Sequence, residues 1–585
     1  MNVVLESAPG AQELKRLETR GRALILTLFW IGSAIVLFLV SRGKWSDAII
    51  DSGREWIVPD ALARGELLYR DVVYWFGPFT PYFHAAFFRF FGSSFRTLVF
   101  AGVVGSLGVV AALYVAFRRA TGRAEAALWI ALAVPALVFM PNAGGSILGM
   151  GFRMWHAAAF GLLAIAYAVR PGARHSLRSA LTVGSLCALA GLCRTEWGLA
   201  ILGACVLAVG VQRNFRAGFA REAALVAAAA LSVFGGVMAL FIAASTPAAV
   251  LSDAPVLLIG VPELTRRNVL VAGLRDWPGG LGPLLYSSAT WIGAFLVIEF
   301  AALRGYARDR LRRRVPWFFA IAVVLLLTAS TGGASGASLW SAAPAACAAG
   351  LVVGIRRRPR PDAAALAGYG LAGLLLSHRR LFFMTDAPYV GPPLLFAFCC
   401  AAALLRLVVV SEKKQLFRHR LRSGILAGIA VVATAAFAGR VLRYASDDRV
   451  PVPGTDGMLS AQPELSREIA NLAAAVRRNT RQGEGLVVFP EGEVLNFLTD
   501  RPNPLPHKLY LPGYLTVRNE EEILSELKRA RPAAVVIWKR PTGEYGPARF
   551  GEDYGRPISR WIEENYVAQP HGTFVLPQAI LAIRR

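Results

Sequence analysis

The sequence predicts an all-α polytopic membrane protein of about 13 transmembrane helices, followed by a small C-terminal α/β domain. Apolar runs recur along most of the chain, and many approach the ~20 residues that a helix needs to cross a ~30 Å hydrocarbon core. Short clusters of Lys and Arg separate these runs. Of the 585 residues, 55% are hydrophobic and only 17% are charged, which is a lower charge content than soluble proteins carry.

The predicted spans follow the apolar runs, with boundaries accurate to a few residues. Several of them are shorter than a comfortable span, and the count is therefore approximate. The predicted spans are 23–41, 97–117, 124–141, 156–169, 178–193, 197–211, 222–244, 284–303, 316–330, 339–355, 363–378, 391–410 and 424–442.

The distribution of basic residues predicts the orientation. The tail 1–22 is basic, and the first span has no small-residue cleavage site after it, which predicts a retained helix rather than a signal peptide. With this tail in the cytoplasm, every even-numbered link between spans is short and basic, as the positive-inside rule requires. An odd number of spans then places the C-terminal part on the extracytoplasmic side. The basic links are 118–119, 170–178, 213–221, 304–314, 356–360 and 413–422.

The net charge of +25 does not indicate nucleic-acid binding, because the basic residues lie between apolar runs and not on one face. All six cysteines lie in or beside apolar runs and show neither a disulfide framework nor zinc-ligand spacing. We interpret them as small packing residues of membrane helices.

The C-terminal part divides into a linker, 444–462, and a domain, 463–585. The linker contains Pro451, Pro453 and Gly454, which favour irregular structure. Alternating helical and strand-like patterns predict a small α/β fold. No glycine-rich nucleotide motif occurs in it, and we expect no cofactor. The predicted helices are 464–481, 520–529 and 558–566, and the predicted strands are 486–489, 533–538 and 573–583.

The first outer loop, 42–96, is long for a connector and rich in acids, aromatics, Gly and Pro. Asp51 and Glu55 are four residues apart, so a helix would place both carboxylates on one face. Two like charges this close raise one pKa, which suits a general base. The alternative is that they are solvated loop acids. The aromatic segment 80–91 is predicted either as an interfacial helix or as the start of the second span.

Three short patterns in this loop resemble a known family. They are Leu68-Tyr69-Arg70-Asp71, then Gly-Pro-x-x-Pro-Tyr at 77–82, then Phe-x-x-Phe-Gly at 88–92. They resemble bacterial membrane glycosyltransferases related to dolichyl-phosphate-mannose protein mannosyltransferases and aminoarabinose transferases, which have the GT-C fold. The stretch 486–513 also looks like the terminal domains of such enzymes. Many members have adjacent Asp and Glu residues, whereas three residues separate Asp51 from Glu55 here.

The resemblance implies a sugar donor linked to a polyprenyl phosphate and a single inverting displacement by an acceptor hydroxyl of a lipid, polysaccharide or protein. The predicted topology agrees, because nucleotide sugars stay in the cytoplasm while the loop faces outside a bacterial cytoplasmic membrane. We assign Asp51 as the base, Glu55 as the residue that positions the acceptor or shares the proton, and Asp71 as the reserve. No metal is expected. We interpret Glu491-Gly-Glu493 as an ordinary acid pair at a helix start in a distal domain.

The leaving phosphate requires fixed positive charge. Three basic clusters at the outer boundary of the membrane are candidates for this charge, and Arg380 and Arg194 are the preferred pair. The alternative is that these basic residues anchor their helices at the membrane interface. The candidate phosphate-binding residues are Arg153, Arg194, Arg379 and Arg380, with His378 beside them and Tyr389 after them. The candidate acceptor- or sugar-binding residues are Trp56, Tyr69, Arg70, His156 and Glu196.

Three other functions remain open from the sequence. A lipid or solute transporter would fit the spans, although no convincing internal repeat or matched pair of broken helices is visible. A non-catalytic membrane scaffold with the same fold is a second alternative. A polymerase or ligase of surface polysaccharide is the third, and it would share the substrate class but not the reaction.

Overall fold

The computed structural model of the chain describes most residues. The described ranges are 9–141, 144–149, 151–170, 177–216, 218–253, 337–377, 387–411, 415–512, 515, 517–543, 547–569 and 579–585.

The described residues before the linker contain helices α1–α14. Eleven of the predicted spans coincide with helices, α5 being continued by a π-helical turn at Val134–Val138. The other two, 284–303 and 316–330, lie outside the described residues, so the count of thirteen stays a prediction. The helices are α1 Pro9–Val40, α2 Ser52–Ala63, α3 Phe79–Phe91, α4 Phe95–Ala120, α5 Arg123–Ala133, α6 Phe152–Ala168, α7 Leu177–Cys193, α8 Thr195–Gln212, α9 Phe219–Ala244, α10 Pro247–Asp253, α11 Ala337–Arg356, α12 Pro361–Leu376, α13 Ala387–Ser411 and α14 Gln415–Ala445.

The membrane character of these helices is confirmed by their length and surface. Within the described ranges, four stretches are long and apolar enough to cross a bilayer, namely α4, α8, α9 and residues Arg422–Ala445 of α14. Several shorter apolar helices accompany them. Large apolar side chains such as Leu240, which is 71% exposed, cover the outside of the bundle, as lipid contact requires. The protein is an integral membrane protein.

Helix α6 lies inside the bundle, where it packs against α4, α7 and α8. Small residues permit close helix approach in such bundles, because little hydrophobic driving force exists between helices in lipid. Gly161 of α6, for example, lies directly against the side chains of Ile201 and Phe396. The N-terminal end of α6, which begins at Phe152, thereby has a fixed position beside the first outer loop.

The first outer loop folds into two helices. Helix α2 is buried along almost its whole length, although it contains three charged residues. Helix α3 ends at Gly92, whose φ is 82°, and α4 begins after the cap Ser94, which accepts a hydrogen bond from the Thr97 amide. The segment 80–91 is therefore a separate helix and not the start of the second span. Its Phe90 side chain is 82% exposed.

The C-terminal part contains a four-stranded sheet in the order β3-β4-β6-β5, in which only β3 and β4 are parallel. The predicted strand 486–489 coincides with β3, and the three predicted helices coincide with α15, α17 and α18. The hairpin β1–β2, helix α16 and strand β5 were not predicted. These elements are β1 Val450–Pro451, β2 Ser460–Ala461, α15 Pro463–Asn479, β3 Leu486–Phe489, α16 Val494–Thr499, α17 Val517–Ala530, β4 Ala534–Trp538, α18 Arg556–Asn565, β5 Tyr566–Gln569 and β6 Ala579–Arg584.

The two faces of this sheet belong to different cores, because successive strand residues point to opposite sides. Val487 and Phe489 pack in a core with Ile558 of α18. Leu486 and Val488 pack in the core that also contains α15 and the first outer loop. One side of the C-terminal sheet is thus continuous with the packing of the loop that contains the candidate acids.

Candidate active site

Local backbone geometry positions the two candidate acids. The Asp47 carboxylate accepts hydrogen bonds from the amides of Ile49 (2.8 Å) and Ile50 (2.7 Å), which turns the chain into α2. Asp51 precedes the helix with a φ of 70°, a conformation that Asp tolerates better than most residues. Glu55 lies in the first turn. The segment that follows Asp51 is helical, which is the condition under which the four-residue spacing brings the acids to one side.

Each candidate acid is paired with an arginine. Arg153 Nη1, at the start of α6, donates a hydrogen bond of 2.8 Å to Glu55 Oε1, and both side chains are less than 10% exposed. Asp51 forms an ion pair with Arg54. Burial raises the pKa of the Glu55 carboxyl, while Arg153 and Arg54 oppose this rise and Asp51 adds to it. The Glu55–Arg153 pair joins the loop to the membrane bundle.

A small cavity lies between α2, α3 and α6. Burial raises the pKa of Tyr74 in its wall. His84 is fully buried there, and neither of its ring nitrogens has a hydrogen-bonding partner among the described residues. The cavity therefore combines a carboxyl, two guanidinium groups, a phenol and an imidazole. Its lining residues are Arg54, Glu55, Val58, Pro59, Tyr74, Pro81, His84 and Arg153.

Two predicted phosphate-binding arginines lie near each other. The guanidinium carbon of Arg153 is 3.8 Å from the centre of the Phe76 ring, and that of Arg194 is 5.4 Å from it. Arg194 precedes α8, is 4% exposed and pairs with Glu196. Gly77 allows this approach, because a Cβ there would lie 2.0 Å from the Leu192 carbonyl oxygen. The loop thus brings both arginines to the same Phe76 ring, and Arg153 also lines the cavity.

Three other predicted site residues lie outside the cavity wall. The Tyr69 hydroxyl donates a hydrogen bond of 2.8 Å to the Phe76 carbonyl, which fixes the loop. Arg70 and Asp71 form an ion pair of 2.7 Å at the surface, and this pair lowers the pKa of Asp71. The structure does not bring Asp71 together with Asp51 and Glu55, and the role of Asp71 as reserve base stays a prediction.

Trp56 and His156 also make contacts that are structural in kind. The Trp56 ring packs against Phe497 of α16, with ring centres 5.2 Å apart. His156 lies one turn after Arg153 on α6. Its Nδ1 is 3.0 Å from Thr80 Oγ1 of α3. Their sugar-binding roles stay predictions. Tyr389 lies in α13, whereas the cluster His378, Arg379 and Arg380 lies outside the described residues.

Glu491 and Glu493 form a feature that the sequence interpretation missed. The expectation that they lie far from the loop is wrong, since both are fully buried and Asp51 and Arg54 act electrostatically on both. The sequence contained a signal for the pairing of Glu491 with Arg540, although not for their approach to the loop. Glu491 follows β3 and Arg540 follows β4, and the carboxyl ends of neighbouring parallel strands meet at one edge of a sheet. Within the described ranges, no cluster of three or more His, Cys, Asp or Glu residues suited to a metal occurs.

Comparisons with known proteins identify the fold. No family model matches the chain, and no curated protein is significantly similar to it. ArnT from Cupriavidus metallidurans in the apo state aligns with a TM-score of 0.52 at 14% identity, covering 95% of this chain and 97% of that one.

Two further structures align over similar lengths. ArnT from Cupriavidus metallidurans bound to undecaprenyl phosphate aligns with a TM-score of 0.51 at 13% identity, covering 95% of this chain and 97% of that one. The Archaeoglobus fulgidus oligosaccharyltransferase tethered with an acceptor peptide aligns with a TM-score of 0.51 at 14% identity, covering 94% of this chain and 73% of that one. The fold expected from the loop patterns is confirmed, and the chain has the GT-C fold of these glycosyltransferases.

Proposed function

We propose that this protein is a glycosyltransferase that moves a sugar from a polyprenyl-phosphate donor to an acceptor hydroxyl on the extracytoplasmic face of a bacterial cytoplasmic membrane. The observation that carries the proposal is the buried alternation of acids and arginines, Asp51–Arg54 and Glu55–Arg153, at the junction of the loop and the membrane bundle. The undecaprenyl phosphate bound to a neighbour of the same fold supports this class of donor.

The proposed reaction is a single displacement at the anomeric carbon. The acceptor oxygen attacks this carbon, the bond from the carbon to the phosphate oxygen breaks, and its electron pair leaves with the lipid phosphate. The acceptor proton passes to a carboxylate. We assign this role to Asp51, whose carboxylate Arg54 holds at the start of α2. Glu55 positions the acceptor or shares the proton, with its carboxyl fixed by Arg153.

The leaving phosphate gains negative charge, and buried guanidinium groups stabilise this charge more than water does. Arg153 and Arg194 are proposed for this role, because both are buried and lie beside the same Phe76 ring. Arg379, Arg380 and Tyr389 are retained as further phosphate-binding candidates on the sequence pattern alone. A donor phosphate bound to Arg153 competes with Glu55 for the guanidinium group. Donor binding therefore releases the Glu55 carboxyl.

The proposed orientation has the N-terminal tail in the cytoplasm and the first outer loop and residues 463–585 outside. Contact between the loop and the C-terminal part supports this arrangement, because both must lie on one side of the membrane. The Val73 amide, for example, donates a hydrogen bond of 3.1 Å to the Pro506 carbonyl. An even number of spans between the two segments satisfies this requirement, in agreement with the count from the sequence.

The test is sugar transfer by purified protein from a panel of radiolabelled polyprenyl-phosphate sugars. We expect one sugar to leave its carrier, and we expect Asp51→Asn to lower the rate by about 10²–10⁴-fold, as loss of a general base does. Glu55→Gln is compared in parallel. Donor binding and thermal stability of both variants serve as controls. Absence of transfer from every donor, or Asp51→Asn and Glu55→Gln both at the wild-type rate, would contradict the proposal.

A further inference from the structure

The C-terminal sheet domain touches α2, the helix that directly follows the proposed base. A Cβ on Gly53 would lie 2.3 Å from the Val494 amide nitrogen and 2.6 Å from the Glu493 carbonyl carbon. The first turn of α2 therefore lies directly against the chain at the start of α16. The contact between Trp56 and Phe497 continues this interface along both helices.

Charged side chains of the C-terminal domain lie at the same interface. Glu491 and Glu493 are fully buried. Glu491 Oε1 is 2.7 Å from Arg540 Nε, whose side chain is 14% exposed. From the loop side, the negative charge of Asp51 and the positive charge of Arg54 both act on the Glu491 carboxyl. Acidic and basic groups from both segments thus meet at this interface, Asp51 and Arg54 from the loop and Glu491 and Arg540 from the sheet.

Stability alone gives this chain of charges no advantage. Removing a carboxyl from water is expensive, and an apolar pair of similar volume stabilises a buried interface as well or better. Glu491 and Glu493 nevertheless lie at the interface with the proposed base. Their position matches the requirement of a base for fixed neighbouring charges that orient it and set its proton affinity.

We propose that Glu491, supplied by the C-terminal domain, is a positioning residue for sugar transfer that acts through Arg54 on Asp51. This inference rests on the proposed function, and it gives the C-terminal domain a direct part in the reaction. When the Glu491 carboxyl is ionised, it competes with Asp51 for Arg54. Arg54 then holds the Asp51 carboxylate less firmly, and this carboxylate is free to accept the acceptor proton.

The Glu491 carboxyl changes its charge within the range of pH in which transfer can be measured. Burial raises the pKa of Glu491 to about 8, with Asp51 and Glu493 adding to the rise and Arg540 and Arg54 opposing it. Burial also raises the pKa of Glu493 to about 7. Glu491 is therefore neutral below about pH 8 and ionised above it, so its effect on Asp51 appears as the pH rises through this value.

The experiment measures kcat and KM for transfer against pH in wild type and Glu491→Gln. We expect wild-type kcat to rise through an inflection near pH 8 that Glu491→Gln lacks. Above this pH the variant is about tenfold slower, which corresponds to about 1.4 kcal/mol, while its KM for donor is unchanged. Glu526→Gln is the matched control, because Glu526 is buried in the same domain and pairs with His507 at 3.0 Å. It keeps the wild-type profile.

A second measurement does not depend on activity. Infrared spectroscopy follows the band of protonated carboxyl groups against pH, and the Glu491→Gln difference assigns the band of Glu491. We expect Asp51→Asn to lower the midpoint of this band, since the Asp51 charge no longer opposes ionisation of Glu491. Glu526→Gln leaves the midpoint unchanged.

The outcomes separate the two proposals. If wild type transfers sugar and Asp51→Asn does not, while Glu491→Gln keeps the wild-type pH profile or is slower equally at every pH, then Glu491 has at most a structural role and the inference is overturned. An infrared midpoint that Asp51→Asn leaves in place also overturns it, whatever the activity. If wild type transfers no sugar but the midpoint shifts, the charge coupling stands and the proposed function fails.

Discussion

At the scale of single residues, the site depends on charges that are buried and paired. Glu55 and Arg153 are 98 positions apart in the chain, yet their side chains meet at 2.8 Å with little exposure to solvent. Loss of one partner leaves the other charge buried without compensation, which costs more than loss of both. The pair therefore couples the position of the loop to the bundle.

We expect Arg153→Met to lower the unfolding free energy by about 3–5 kcal/mol, because the buried Glu55 carboxylate then loses the guanidinium group that donates a hydrogen bond to it. The double variant with Glu55→Gln should recover part of this loss. Thermal unfolding in detergent measures both. Asp71→Asn is the control, since it removes an ion pair at the surface, and it should leave the unfolding temperature unchanged. Equal destabilisation by the single and double variants would show that the two charges do not stabilise each other.

At the scale of elements, the burial of the loop helix α2 is the feature that the sequence did not predict. The four-residue spacing of Asp51 and Glu55 would place both acids on one face if the segment were helical, and the structure has a helix that begins at Ser52, directly after Asp51. Nothing in the loop itself indicates that Ser52 to Leu62 are buried. This burial comes from α3, from the start of α6 and from the chain around Val494, which lies more than four hundred residues later.

We expect Gly53→Ala to push α2 away from α16, because the added Cβ would meet backbone atoms at 2.3–2.6 Å that have no freedom to move aside. Overpacking of this kind costs about 1–3 kcal/mol, and transfer should fall with it. Gly108→Ala in α4 is the control, since no atom lies within 4 Å of its added methyl group and the helix gains propensity. Melting temperature and transfer rate are the measurements. Wild-type stability and rate for Gly53→Ala would argue against tight packing of α2 on α16.

At the scale of the whole molecule, the C-terminal sheet and the loop form one packed unit above the bundle. One face of the sheet shares a core with residues of the loop, including Trp56. The division into a linker, 444–462, and a domain, 463–585, stays a prediction from the sequence. The packing of the sheet on the loop is continuous across this division.

We expect a chain that ends at residue 462 to insert into the membrane with an exposed loop helix. Trypsin should then cut after Arg54, which is 8% exposed in the full chain and protected there. Arg70 is the internal control, because its side chain is 53% exposed and should be cut in both forms. Mass spectrometry of the fragments measures the ratio of the two cuts. Continued protection of Arg54 in the shortened chain would mean that α2 folds without the sheet.

The sequence by itself determined the features that depend on neighbouring residues. Apolar runs set the spans, because a helix in lipid must satisfy its own backbone hydrogen bonds. The short buried run 486–489 predicted β3, and the loop patterns indicated the GT-C fold that the comparisons confirmed. These signals are local, and their physical causes act within about twenty residues.

Only the tertiary structure decided which distant groups meet. It placed Arg153 on Glu55, Arg194 beside the same Phe76 ring, and Glu491 at the helix of Asp51. A single sequence does not show which distant segments will pack together, and it therefore does not show the burial or the charges that one segment imposes on another. For this reason the sequence indicated only an ordinary helix start at Glu491 and Glu493. In the folded chain Glu493 lies against Gly53, two residues after the proposed base, and packing of the sheet on the loop removes both carboxyls from water.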